Sequence, residues 1–264
     1  MPRAVALIEV KAPMPASGHG LAMWLFEDRQ DAGQQLAQRL AAFDLGDAVV
    51  VALPRGGLPV AAPIAARFRL PIDVLLIRKV GVPGQRELAV GAVSDGQDMQ
   101  ITVNQDIADS LKLSHEDIVA LARRELPELE RRRNLYFGDL APEPLAGRTA
   151  IVVDDGVATG ATARAALRLV RQRRPKHIIV ALPVAPASSL AELGAEADAI
   201  VCLHQPEPFL SVGSHYRDFG QVDDREVTDL LHRHRLALTA DPDDGREDHG
   251  DRAKAAFGKG RART

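Results

Sequence analysis

Two adjacent carboxylates, Asp154 and Asp155, close an apolar run in "IVVDDGVATGATARAAL" (151–167), and a loop of small residues leads from them into an alanine-rich stretch. Neighbouring acidic side chains accept hydrogen bonds from paired hydroxyls, or attract a divalent cation through water. The loop has the opposite preference. Ala158, Thr159, Gly160, Ala161 and Thr162 stand where a helix is expected to begin. The free N–H groups and positive dipole end of such a terminus hold anions. Gly160 permits close backbone approach, and the two threonine hydroxyls add donors. A phosphate at one end and a vicinal diol at the other describe a ribose 5-phosphate. The same residues also support a plainer reading, since Asp-Asp-Gly makes a good turn at a strand end and Thr-Gly-x-Thr can simply cap a helix. Two other phosphate motifs fail on spacing. The chain has no Gly-Lys-Ser/Thr tripeptide for a Walker loop, and this loop lacks G-x-G-x-x-G.

The elements around these residues follow from hydrophobic period. "EDRQDAGQQLAQRLAAF" spaces Ala32, Leu36, Leu40 and Phe43 as one face of a helix, with Asp28 near its start. "AVVVAL" (48–53) reads as a strand covered on both faces, and "IDVLLIR" (72–78) as a second. Between them "LPVAAPIAARF" forms a helix with Pro59 in its first turn and an expected kink at Pro63. Two shorter strands, 88–94 and 99–104, flank a turn at Asp95-Gly96. A charged helix follows from Ser114, opened by a capping-box pair with Asp117 and bent at Pro127. Strand 149–155, a helix, strand "HIIVALPV", a helix, strand "DAIVCLH" and a last helix over about 224–235 complete the alternation. The expected fold class is α/β, with a mainly parallel central sheet and helices on both faces. Residues 1–24 read as an N-terminal arm or cap, 25–237 as the main domain and 238–264 as a disordered tail.

With 264 residues, 46% of them hydrophobic, the chain can bury one substantial core. A formal net charge of −3 gives no nucleic-acid footprint and no polybasic membrane anchor. No apolar run approaches the roughly 20 residues of a membrane span. A cytoplasmic location is expected. The single cysteine, Cys202, reads as a small buried apolar residue.

"IVVDDGVATGAT" resembles the diphosphoribosyl-binding signature of the type I phosphoribosyltransferases: a hydrophobic strand, two acidic residues, then a Thr-Gly-x-Thr phosphate loop. The resemblance covers about residues 25 to 230, is strong at 151–162, and points to a sparsely characterised branch of the family. It is shared by diphosphoribosyl synthetases and by regulators that bind the sugar without catalysis. It implies a pentosyltransferase that takes a 5-phosphoribosyl group from a Mg²⁺-carried 5-phosphoribosyl 1-diphosphate to a base-like acceptor, acting as a homodimer. Asp154 and Asp155 would hold the ribose hydroxyls, and residues 158–162 the 5-phosphate. The family's pyrophosphate loop matches Pro54-Arg55-Gly56-Gly57, where two glycines let amides face an anion and Arg55 supplies a guanidinium. Arg78 and Lys79 match a basic pair that some members use on pyrophosphate, although adjacent basic residues also read as a solvated strand end. Ala158 departs from the pattern: 6-oxopurine enzymes carry an aspartate there, so hypoxanthine and guanine are the poorer candidate acceptors. The region of about 104–140 corresponds to an enlarged helical lid rich in Arg123, Arg124, Arg131, Arg132 and Arg133, or else to a solvated charged face. Segment 204–227 corresponds to the hood. Its Phe209, His215, Tyr216 and Phe219 either stack on a base or anchor an irregular segment, and no catalytic part falls to His215.

Overall fold

The computed structural model describes residues 6–9, 24–82, 85–94, 99–138 and 140–240. Most of the arm and tail readings, and the Asp95-Gly96 turn, lie outside them. In chain order the elements are β1 (Ala6–Glu9), α1 (Arg29–Leu40), β2 (Val49–Ala52), α2 (Gly57–Phe68), β3 (Ile72–Val74), β4 (Ile77–Val82), β5 (Gln85–Ser94) and β6 (Gln100–Val103). There follow α3 (Gln105–Ser110), α4 (His115–Arg123), α5 (Leu126–Phe137), β7 (Thr149–Val153), α6 (Ala161–Gln172), β8 (His177–Val184), α7 (Ala187–Gly194), β9 (Ala199–His204) and α8 (Asp224–Thr239).

Six strands form one sheet in the order β1-β9-β8-β7-β2-β3, with every pairing parallel. Strands covered on both faces read as unbroken apolar runs. Alternate residues duly face opposite cores: Val50, Ala52, Ile151 and Val153 join the cluster under α1 and α2, while Val49, Val51, Ala150 and Val152 join the cluster under α6. Cys202 is buried. The chain leaves β2 toward the β3 edge and leaves β7 toward β8, so the direction of winding reverses between β2 and β7. At such a switch point the loops after the two strands part and leave a crevice at the strands' carboxyl ends. Those loops carry the two anion-binding candidates.

Local chemistry explains several boundaries. The Asp28 side chain caps α1 by accepting from Asp31 N, and Ser114 and Asp117 form the full capping box of α4. Pro127 sits in the first turn of α5, where its missing N–H costs nothing, so the long charged helix is two helices rather than one bent helix. Helix α2 runs unbroken through Pro63 and packs against α1. There Gly33 makes the fit: a Cβ on it would stand 2.3 Å from the Val60 carbonyl oxygen.

Two further expectations change. The run 72–78 is not one strand. The large sheet keeps only β3, Leu75 and Leu76 are buried in the crossing, and β4 starts a separate antiparallel sheet with β5 and β6. Residues 6–9 of the expected arm pair in parallel with β9 and form the sheet's sixth strand.

The arginine-rich insertion is fastened down. Ile118, Ala122, Leu129, Tyr136 and Phe137 belong to the main core. Arg133 of α5 and Arg173, just past α6, each lie 3.1 Å from a carboxylate oxygen of the buried Asp73. Burial pushes the Asp73 carboxyl above its ordinary value, and the two guanidiniums limit the rise. Arg131 and Arg132 both pair with Glu128. A solvated face accounts for only part of this helix.

Candidate functional site

Strand β7 ends at Val153 and delivers Asp154 and Asp155, half-buried, to the crevice. Asp154 Oδ1 accepts from the backbone N–H of Asp155 at 2.9 Å. Asp155 Oδ2 accepts from Arg29 Nε at 2.8 Å, with only 11% of the arginine side chain and 15% of the aspartate exposed. The Tyr216 hydroxyl donates to the Asp155 carbonyl at 2.5 Å. Burial, reinforced by the charge on Asp155, holds the Asp154 carboxyl well above the usual carboxylate range. Burial also raises Asp155, against the pull of Arg29. Such a pair gains from any ligand that brings donors or positive charge to it.

The loop beyond is pinned from behind. Val157 N–H donates to the Val184 carbonyl at 3.0 Å, and Ser189 Oγ donates to the Ala158 carbonyl at 2.6 Å. Gly160 is the N-cap of α6 with φ of 72°, a conformation that favours glycine. No side chain caps this helix, so Thr159 and Thr162 do not take the capping role that their spacing also allowed. Thr159, Ala161 and Thr162 are exposed, as is Ala158. The helix start is therefore open to an anion from solvent.

The loop after β2 lies against these carboxylates. The Pro54–Arg55 peptide is cis. A Cβ on Gly56 would stand 2.0 Å from Asp155 Oδ2, and one on Gly57 would stand 2.6 Å from the Val153 carbonyl oxygen. Space, not backbone conformation, demands the first glycine, since its φ is −64°. Arg55 lies 4.0 Å from Asp224 at the start of α8. Pro54 and Thr162 share a small cavity of about 60 Å³ with Ile77 and Arg132. The structure thus joins Asp154, Asp155, Gly56, Gly57 and the 158–162 loop in one crevice. Arg78 and Lys79, adjacent on β4, face opposite sides of that strand. Arg78 Nε donates to Glu125 at 2.7 Å, and Lys79 is exposed.

Sequence reasoning passed over Arg29. A cation at the first position of a helix opposes the dipole, so Arg29 directly after the N-cap Asp28 was a signal that an anion waits elsewhere. Its guanidinium lies over the Phe219 ring, 3.8 Å from the centroid, and Nη1 donates to the Gly220 carbonyl at 2.8 Å. The hood aromatics contact one another: Tyr216 packs on Phe26 and Phe219, and Phe209 on His215. Burial lowers the pKa of His215. A second, larger cleft of about 830 Å³ opens between α1, α2 and α8, with Arg29 and Gly220 on its wall.

The phosphoribosyl transferase domain family matches residues 27–206. The chain belongs to that family. Two curated Mycobacterium tuberculosis proteins, from strains CDC 1551 and H37Rv, each bear the name "Putative phosphoribosyl transferase" and are 44% identical to this domain over 211 residues. That alignment takes in 80% of this chain and 47% of theirs, so this chain spans about half the length of the curated relatives it matches. The crystal structure of TT1426 from Thermus thermophilus superimposes with a TM-score of 0.70 at 38% identity, covering 79% of this chain and 98% of that one. The α/β architecture of this phosphoribosyl transferase domain, with its parallel sheet flanked by helices, is shared with it. Among the described residues no helix is long and apolar enough to cross a membrane.

Proposed function

We propose that the protein transfers a 5-phosphoribosyl group from 5-phosphoribosyl 1-diphosphate to a nitrogenous-base acceptor. The bond from the anomeric carbon to the diphosphate oxygen breaks, a bond to the acceptor nitrogen forms, and the acceptor's proton is lost as pyrophosphate leaves. One observation carries this reading. The acidic pair and the uncapped start of α6 stand at the end of β7, directly beside the Gly56-Gly57 turn at the sheet's switch point. Asp154 and Asp155 bind the ribose hydroxyls, and their charge favours the positive character that grows on the sugar as the bond breaks. The N–H groups of residues 158–162 take the 5-phosphate. Arg55 and the Gly56-Gly57 amides take the pyrophosphate. Lys79, exposed on β4, and Arg78, once released from Glu125, are further cations for it.

No group of three or more His, Cys, Asp or Glu among the described residues forms a metal cage. That suits Mg²⁺, which binds through one or two carboxylates and substrate oxygens rather than in an all-protein site. Asp154 and Asp155 are the carboxylates available to it, and when bound it neutralises charge on the diphosphate. The homodimer belongs to the same proposal, and light scattering reads it directly.

Titration calorimetry with the donor and Mg²⁺ tests the reading, followed by pyrophosphate release across a panel of nitrogenous bases. Asp154→Asn combined with Asp155→Asn is expected to abolish donor binding. Unchanged affinity in that folded double variant refutes the assignment. A second reading, a sensor that binds the donor without turnover, draws on Ala158, whose methyl group offers an acceptor no proton partner. Tight binding with no release on any base selects it. The internal pairing of Arg131, Arg132 and Arg133 weakens the partner-binding face that a sensor would use.

A further inference from the structure

The two acidic residues of the crevice are held in different ways. Among the described residues Asp154 has only the local bond from the Asp155 amide on its Oδ1. Asp155 is gripped from three sides. Arg29 Nε donates to Oδ2, the Gly56 backbone closes on that same oxygen, and the Tyr216 hydroxyl holds the carbonyl. Arg29 is itself fixed by the Phe219 ring and by the Gly220 carbonyl. Phe219 is fixed in turn: it packs on Tyr216, and a Cβ on Gly213 would stand 2.7 Å from its ring. The start of α1 and the hood thereby converge on one residue of the β7 loop: Arg29 on its carboxylate and Tyr216 on its backbone carbonyl.

Chain economy does not explain this arrangement. A guanidinium at the first position of α1 meets the positive end of the helix dipole, so its place costs the helix something. The return is a carboxylate whose direction is set: with Oδ2 taken by Arg29 and lodged against Gly56, Asp155 keeps Oδ1 for a ligand. The planar fork of arginine suits the task, because it reaches Asp155 and the Gly220 carbonyl at once while presenting a flat face to Phe219. A lysine offers one point charge and no face to stack.

We propose that Arg29 is a positioning residue for the sugar-binding carboxylate: stacked on Phe219 and tied to Gly220, it aims Asp155 and locks the β7 loop to the Gly56 turn. Both halves of the donor site then depend on a residue that itself contacts neither the ribose nor the pyrophosphate. The inference rests on the proposed donor binding and deepens it. It also makes the hood a support for the donor rather than a wall for the acceptor alone. Arg29 lines the larger cleft as well.

The test begins with the wild-type protein, whose donor affinity is measured by calorimetry with Mg²⁺ present. Arg29→Ala is expected to weaken that affinity by about tenfold or more, a factor of ten being about 1.4 kcal/mol. Millimolar ethylguanidinium is expected to restore most of the affinity while raising the variant's melting temperature by no more than the small amount that its own weak binding gives, a rescue that a merely structural role would not give. Should Arg29→Ala fail to fold, Arg29→Lys carries the test. It keeps the charge but not the fork, and a loss of about fivefold or more is expected. A folded Arg29→Ala that binds within about twofold of wild type, an Arg29→Lys that does so, or an Arg29→Ala that ethylguanidinium leaves unrescued overturns the inference alone. A wild-type protein that does not bind the donor overturns the proposed function, and this inference with it.

Discussion

Asp154 shows how far one side chain can be read, and where the reading stops. Its type and place, first of a strand-end acidic pair, were legible in "IVVDDG". Its burial was not, because that depends on the Gly56-Gly57 turn and the hood, which arrive from about a hundred residues upstream and sixty downstream. The consequence is measurable. A carboxyl whose folded-state pKa lies above its unfolded value of about 4 favours the folded state fully below that value, and the contribution is lost as pH rises through the raised pKa. At neutral pH the carboxyl is therefore a burden on the free protein, whether it keeps its charge or takes up a proton. Without donor or Mg²⁺, Asp154→Asn is expected to melt above wild type near pH 7.5, by about 2–4 °C for each kcal/mol gained. The gap is expected to narrow toward pH 4. A variant that melts below wild type at pH 7.5 contradicts the raised pKa. Arg29 was legible only as an oddity at a helix start. Its partner, 126 positions away in sequence, had to be seen.

At the scale of elements, hydrophobic period located the strands and helices of the large sheet closely, since "HIIVALPV" is β8 itself and Asp28 caps α1 as its type suggests. Period reports burial, however, and not which sheet receives a strand. Residues 72–78 are apolar almost throughout because Leu75 and Leu76 are buried in the crossing between two sheets, so one run looked like one strand. The four residues of β1 take their extended form from pairing with β9, a long-range cause that leaves little local trace. Glycines at close contacts make the sharper predictions. Gly33→Ala forces a Cβ toward the Val60 carbonyl oxygen and is expected to destabilise the α1–α2 packing by about 1–3 kcal/mol, read from the midpoint of urea unfolding. An unchanged midpoint denies that contact. Gly56→Ala presses instead on Asp155 Oδ2, so its expected signature is a loss of donor affinity of about tenfold or more with a smaller change in melting temperature.

For the molecule as a whole, the fold class was legible because strands alternate with helices along the chain, and that pattern admits few architectures. Where the site would stand followed from the strand order, which no local pattern contains: the crevice exists because winding reverses between β2 and β7. Its walls come from four stretches far apart along the backbone, at Arg29, at Gly56 and Gly57, at Asp154 to Thr162, and at Tyr216 to Gly220. A guest that touches several of these at once acts as a rivet. At about one hundred times its dissociation constant the donor is expected to add about 2.7 kcal/mol to the unfolding free energy. Amide exchange is then expected to slow together at the hood and at the ends of β2 and β7, rather than at one loop alone. Recognition of the sugar and resistance to fraying would thus be one event in this protein, fastened by the same handful of charges.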